Sequence, residues 1–163
     1  MEGNLWILKN KKMASIIWTY KHFNELTTAE LYDILWLRSK VFVVEQNCVY
    51  LDNDYKDQES YHLMGTVDGK LAAYVRILPP GLSYEEASIG RVLTNPDFRR
   101  TGLGKELMQK AIQKTCSQFG VNTIKISAQC YLLKFYTELG FQAYGEEYLE
   151  DDIPHVAMIF QQK

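Results

Sequence analysis

The stretch Val92-Leu93-Thr94-Asn95-Pro96-Asp97-Phe98-Arg99-Arg100-Thr101-Gly102-Leu103-Gly104-Lys105-Glu106-Leu107 decides how the chain folds. The apolar run that ends at Thr94 has the character of a strand. Asn95-Pro96-Asp97 supplies a turn. The chain then enters a helix through two arginines and two spaced glycines. Glycine lacks the Cβ that keeps a ligand off the backbone, and a helix N-terminus offers unpaired N–H groups and the positive end of a dipole. The pattern predicts a strand, an anion-cradling loop and a helix. A plain glycine turn before a helix would use the same residues, so the loop needs support from its surroundings.

That support begins on the C-terminal side. Leu103, Leu107, Met108, Ala111, Ile112 and Phe119 share one stripe, with Lys105, Glu106, Gln109, Lys110 and Lys114 opposite. Gly120 follows as a C-cap. Residues 123–129 alternate and predict a strand, and the helix joining it to strand 88–94 predicts a parallel crossover. Leu132, Phe135, Tyr136 and Leu139 then mark a short helix stopped at Gly140-Phe141 in a Schellman cap. A stretch rich in Tyr and Glu leads to a last strand over residues 154–160.

On the N-terminal side, residues 16–23 are β-branched and aromatic and predict a first strand. Thr27 and Glu30 form a capping box for a helix carrying Leu31, Ile34, Leu35, Val41 and Phe42 on one face. Arg38 falls on that apolar face. A buried guanidinium needs a carboxylate, and Asp52, Asp54 and Asp57 are the nearest in sequence. Residues 45–60 look irregular. Residues 61–67 and 70–78 are two strands joined by Asp68-Gly69, a hairpin signal.

The chain has 163 residues, 47% of them hydrophobic, which suits one globular domain with a real core over residues 16–163. Residues 1–15 have the look of an N-terminal extension. A net charge of −2 gives no basic field for nucleic acid. No apolar run approaches the roughly 20 residues of a membrane span. Cys48, Cys116 and Cys130 are odd in number and form no C-x-x-C, and His22, His62 and His155 are far apart. Neither a disulfide framework nor a metal site is expected, and a reducing cytoplasm fits best.

Two motifs now match a family. Arg99-x-x-Gly102-x-Gly104, after a strand and Asn95-Pro96, resembles the acyl-CoA pyrophosphate loop of the GNAT acetyltransferases. The run from Gln129 through Tyr136 to Leu139-Gly140-Phe141 is similar to their second signature, and the order and spacing of the two fit together. Residues 37–48, then Tyr50, Asp52, Asp54 and Asp57, with Gly90-Arg91-Val92 and Asp152-Ile153-Pro154-His155, resemble the ElaA-like branch. One departure is Arg100, where the loop often has glycine.

The resemblance implies an α/β (α+β) fold: a mixed central sheet of about six to seven strands flanked by helices. It also implies acetyl-CoA as co-substrate, an acetyltransferase acting on a small-molecule or peptide amine, and a monomer or homodimer. The cofactor-binding residues carried over are Val92, Leu93, Thr94, Arg99, Arg100, Thr101, Gly102, Leu103, Gly104 and Gln129. Val92 N–H would polarise the thioester carbonyl, a fixed dipole placed where negative charge grows. Tyr136 would act as general acid toward the leaving thiolate. His155 and Glu45 are the candidate bases, a neutral imidazole being suited to the task near pH 7. Cys48 and Cys130 are expected to be small buried fillers, not nucleophiles.

Other activities fit parts of the pattern. Residues 38–57 also distantly resemble acyl-homoserine lactone synthases, which share the fold and use S-adenosylmethionine; the well-formed loop favours CoA. A non-catalytic acyl-CoA-binding module is a third possibility, against which Tyr136 speaks. The acids over residues 52–59 could line the acceptor site and favour a cationic amine, or they could be consumed by Arg38.

Overall fold

The structure, a computed structural model, describes residues 15–163. The extension expected over residues 1–15 lies outside the described residues except for Ser15. Among the described residues, seven strands form one mixed sheet: β1 (Ile17–His22), β2 (Tyr61–Val67), β3 (Lys70–Leu78), β4 (Ala87–Thr94), β5 (Thr123–Gln129), β6 (Phe141–Glu150) and β7 (Ile153–Gln161). Their order is β1-β2-β3-β4-β5-β7-β6. All pairs are antiparallel except β4 and β5, which run parallel as the helical crossover requires.

Helices cover both faces. α2 (Leu103–Phe119) packs on β3, β4 and β5. Leu103, Leu107, Met108 and Ala111 meet Leu63, Val75, Ile77 and Ile124 there. α1 (Thr28–Arg38) covers the other face, where Ile34, Leu37 and Val41 meet Met64, Leu71, Tyr74 and Leu93. The period of two is visible in the pairs Leu63/Met64 and Val75/Tyr74, which point to opposite layers. β3 is buried on both faces, which is why residues 71–78 read as an apolar run interrupted only by Arg76.

The local signals act as expected. Thr27 Oγ1 accepts from Glu30 N–H at 3.1 Å and Glu30 returns the bond to Thr27 N–H at 2.8 Å. Asp68 and Gly69 turn the β2–β3 hairpin with φ of +50° and +74°. Gly120 ends α2 at φ +63°. α3 (Leu133–Glu138) ends at Gly140, φ +96°, with the Gly140 N–H on Thr137 O at 3.0 Å, one of the two Schellman bonds.

Three details differ from expectation. Residues 141–150, read as a connection, form the edge strand β6. Only Phe141 in it is buried, so no alternation marked it, and Gly145 at φ +77° sits in a bulge between Tyr144 and Tyr148. Leu37, absent from the expected α1 face, is more deeply buried than Leu31 or Leu35. The cysteines are free but only half-buried.

Candidate active site

The sheet opens where β4 and β5 part. Their pairing stops after Ala87 with Ile124 and Ser88 with Lys125. Beyond that point β4 has lost its β5 neighbour, and its pairing to β3 is broken by a bulge. Tyr74 faces Leu93 and Arg76 faces Gly90, so Arg91 and Val92 together oppose Val75. Arg91 takes φ +54°, a left-handed conformation that costs a non-glycine residue roughly 1–2 kcal/mol. A cleft of about 870 Å³ follows the opening, lined by Val92, Leu93 and Thr94 along β4 and by Ser127 and Gln129 along β5.

Buried charges hold the bulge in place. Arg38, fully buried, donates from Nε to Asp52 at 2.6 Å and from Nη1 to Asp57 at 2.7 Å. Arg76 donates to Asp54 at 2.7 Å through each terminal nitrogen and to Asp57 at 2.9 Å. Arg91 donates to the Asp52 carbonyl at 2.9 Å. Its Nε lies 2.8 Å from Asp52 Oδ1, close enough for charge attraction although its N–H is not aimed at that oxygen. Three arginines and three aspartates thus close a neutral set. Burial raises the Asp54 and Asp57 pKa values, but the arginines outweigh it and hold both carboxyls below the usual range. The Arg38 partners expected from sequence are therefore Asp52 and Asp57. His62 is buried beside them, bonded to Tyr74 OH at 2.8 Å and Asp57 O at 3.0 Å.

The loop after β4 has the geometry its residues suggested. Asn95 Oδ1 accepts from Asp97 N–H at 3.2 Å while its Nδ2 donates to Leu71 O at 3.1 Å, which fixes the turn. Arg100 and Gly102 both have positive φ, +63° and +79°. Gly102 is the N-cap of α2, so the first N–H groups of that 17-residue helix face the loop without a side-chain cap. Leu103 anchors the helix start in the core. A Cβ on Gly104 would stand 3.7 Å from Thr94 Cγ2, so the helix start packs close to the end of β4. Thr101 and Arg100 are exposed.

Other candidate residues meet at the same cleft. Tyr136 lines it, with its ring edge-on to Phe135 and Phe141, and burial followed by the nearby Tyr131 raises its pKa. His155 pairs across β7 with Gln129, and its Nδ1 lies 2.7 Å from Ile153 O. That bond assigns the proton to Nδ1 and leaves Nε2 as the acceptor. Glu45 and Gln46 end a π-helical continuation of α1, residues Ser39–Glu45. Glu45 pairs with Arg99 Nη2 at 2.7 Å. Gln46 and Gln129 exchange amide bonds at 3.1 and 3.3 Å. Glu45 and Arg99, expected in separate roles, are bonded to each other. Among the described residues, no group of His, Cys, Asp and Glu is placed to hold a metal ion, and no helix is long and apolar enough to cross a membrane.

Sequence reasoning missed the guanidiniums of Arg76 and Arg91 as partners of the acids, and missed Lys56, Ser83, Tyr84, Ser127 and Glu150 on the cleft wall. Period-two alternation could have flagged Arg76 as inward. Nothing local marks the others.

A split parallel pair, a bulge beside it and a glycine loop at a helix start define an acyltransferase architecture. Residues 37–161 match the acetyltransferase (GNAT) domain, and the chain belongs to that family, on its ElaA-like branch. It is 38% identical to protein ElaA of Escherichia coli K12 over 145 residues, 88% of this chain and 95% of that one. The crystal structure of E. coli ElaA superposes with a TM-score of 0.84, covering 90% of this chain and all of that one. An acyl-CoA N-acyltransferase from Pseudomonas aeruginosa gives 0.85 at 43% identity, covering 90% and 99%. The acyl-homoserine lactone synthase LasI shares the fold, with a TM-score of 0.75 at 16% identity over 91% of this chain and 90% of that one.

Proposed function

We propose that the chain transfers an acetyl group from acetyl-CoA to an amine by direct attack while both substrates are bound. The observation that carries this is the split between β4 and β5 beside the Arg91 bulge, with Tyr136 and His155 on the same cleft. The pyrophosphate would rest on the N–H groups from Arg100 to Gly104. A helix terminus contributes about 0.3–1 kcal/mol toward a nearby charge, so several converging bonds carry the affinity. Val92, Leu93 and Thr94 offer backbone to the pantetheine arm, and Gln129 offers its amide from β5.

The chemistry then runs in order. His155 Nε2 takes a proton from the acceptor ammonium, directly or through water. The neutral amine attacks the thioester carbon, and Val92 N–H receives the growing oxyanion. The C–S bond breaks as the amide forms. Tyr136 gives its phenolic proton to the departing thiolate and is re-protonated, through water, by the second proton that the attacking nitrogen sheds as it becomes an amide; burial keeps the phenol protonated at neutral pH between turnovers. His155 serves the base role better than Glu45, whose carboxylate is engaged with Arg99.

Release of CoA from acetyl-CoA in the presence of an amine panel tests the activity. Tyr136→Phe should lower kcat by about 10²-fold with acetyl-CoA KM little changed. An unchanged kcat would refute the acid role. Binding of acetyl-CoA without turnover of any amine would make the chain a binding module instead.

A further inference from the structure

Two charged side chains on the cleft wall stand out. Glu45 is taken by Arg99, and the aspartates by the three arginines. Lys56 and Glu150 also line the cleft. Neither makes an ion pair among the described residues. Each is held instead by a serine hydroxyl: Lys56 Nζ donates to Ser83 Oγ at 2.9 Å, and Glu150 Oε2 accepts from Ser127 Oγ at 2.9 Å. A neutral hydroxyl fixes the position of a charge without cancelling it.

The fold brings the two together. Ser83 and Tyr84 are consecutive on the loop before β4. Tyr84 lies close enough to β6 that, after burial, the Tyr148 and Glu150 charges raise its pKa. Lys125, beside Ser127 on β5, lies 4.6 Å from the Tyr84 ring and 5.4 Å from that of Tyr144. The loop that holds Lys56 therefore faces the strand that carries Glu150. Glu150 is also linked to the reacting end. Ser127 contacts Tyr148 OH, and the Tyr148 ring stacks on His155 at 6.1 Å between centroids. An amine beside Glu150 is near the base, and Lys56 is left for the remainder of the acceptor.

We propose that this part of the cleft wall binds an amine that carries a carboxylate, an amino acid or a small amino-acid derivative, with Lys56 on the carboxylate and Glu150 on the amine. The proposal rests on the acetyltransferase reading and deepens it. A simple diamine would bring a second cation against Lys56, and an acceptor without charge would leave both Lys56 and Glu150 uncompensated.

The test uses the full chain, calorimetry with acetyl-CoA, and CoA release with matched acceptors. Lysine, lysinamide and cadaverine form one set; phenylalanine, phenylalaninamide and phenethylamine form another. Rates are compared at equal concentrations of neutral amine. Each amino acid should show a kcat/KM at least about tenfold above its amide and its decarboxylated amine, the worth of one charge-assisted contact. Lys56→Met should collapse that ratio to about twofold or less, and Lys56→Glu should invert it toward the diamine, with the acetyl-CoA KM unmoved. Glu150→Gln should raise KM across each set. A lysine that only pins its loop would act equally on all members, and that result overturns the proposal. So does turnover confined to amines lacking a carboxylate. Failure of acetyl-CoA to bind would overturn the acetyltransferase reading and this proposal with it; binding and turnover without a carboxylate preference would overturn this proposal alone.

Discussion

Arg38→Met should be among the most damaging single changes that leave the cleft lining intact. The guanidinium is fully buried and holds Asp52 and Asp57 at 2.6 and 2.7 Å. Methionine fills much of its volume, so the loss is charge compensation and hydrogen bonding more than packing. Breaking a buried pair costs roughly 3–5 kcal/mol because the remaining charge is stranded. Here Asp57 keeps Arg76 at 2.9 Å and Asp52 keeps Arg91 and Tyr50, which places the loss near the lower end, about 3 kcal/mol. For a domain of this size that is a fall in Tm of roughly 6–12 °C. Asp57→Asn should cost a similar amount. The double variant should be milder than the sum of the two by at least about 1 kcal/mol, because each substitution removes the partner the other strands. Urea unfolding followed by circular dichroism at pH 7 measures all three. A single-variant loss under about 1 kcal/mol, or strict additivity, would refute the claim that these charges hold the bulged strand.

Acid should weaken the fold in two stages. Burial depresses the His62 pKa to about 4 from its ordinary 6.5. The unfolded chain therefore binds the extra proton between those values, and stability present above pH 6.5 drains away toward pH 4 by about 3 kcal/mol. The depressed Asp54 and Asp57 carboxyls add a further loss below pH 3.8. Unfolding free energy measured from pH 7 to 3 checks this, and His62→Asn should flatten the upper stage. Glu45→Gln frees Arg99 for the pyrophosphate, so acetyl-CoA KM should fall about twofold to fivefold with kcat retained; a collapse of kcat would restore Glu45 as the base. Gly102→Ala forces a Cβ into φ +79° at the helix cap and should cost about 1 kcal/mol while raising acetyl-CoA KM several-fold. Val92→Ala keeps the backbone N–H and should leave kcat within about threefold.

The strand, loop and helix of the proposed donor site were legible because their signals are local. A strand, a turn, two glycines and an amphipathic helix follow one another within residues 88–119, and each is read from its own neighbours. Arg38 was legible for the same reason: a guanidinium on an apolar helix stripe states its need for a carboxylate. β6 was hidden because nine of its ten residues are exposed and no buried face imposes alternation. Its Glu146 and Glu147 suit a strand that must not invite further pairing at the sheet edge. The proposed acceptor site was hidden for another reason. Lys56, Ser83, Ser127 and Glu150 come from four separate segments, and only the splay of β4 from β5 brings them to one cleft. Whether the acids at residues 52–57 faced a substrate or a guanidinium likewise depended on Arg76 and Arg91, which reach them from β3 and β4.

That last point constrains the acceptor. An aspartate that serves two guanidiniums, at least one of them buried, cannot also take up an ammonium ion without releasing one of them, at a cost of up to roughly 3–5 kcal/mol. Asp57 is shared between Arg38 and Arg76, and Asp52 between Arg38 and Arg91. Asp54 is half-buried and bidentate to Arg76. The acids that look from sequence like a wall for a cationic substrate are committed to shaping β4. Their work is to hold Arg91 in its left-handed turn, and through it to place Val92 opposite Val75 where the ladder fails. Recognition of the acceptor must then come from charges outside this neutral set. Along the cleft wall, among the described residues, the basic or acidic side chains that line it outside the pairs already formed are Lys56, Glu150, Asp151 and His155. Asp151 sits on the β6–β7 turn at φ +50° with no side-chain hydrogen bond among the described residues to aim its carboxylate, whereas Ser127 fixes Glu150; His155 is given the proton in the proposed mechanism. On the proposed reading, substrate charge is left to Lys56 and Glu150.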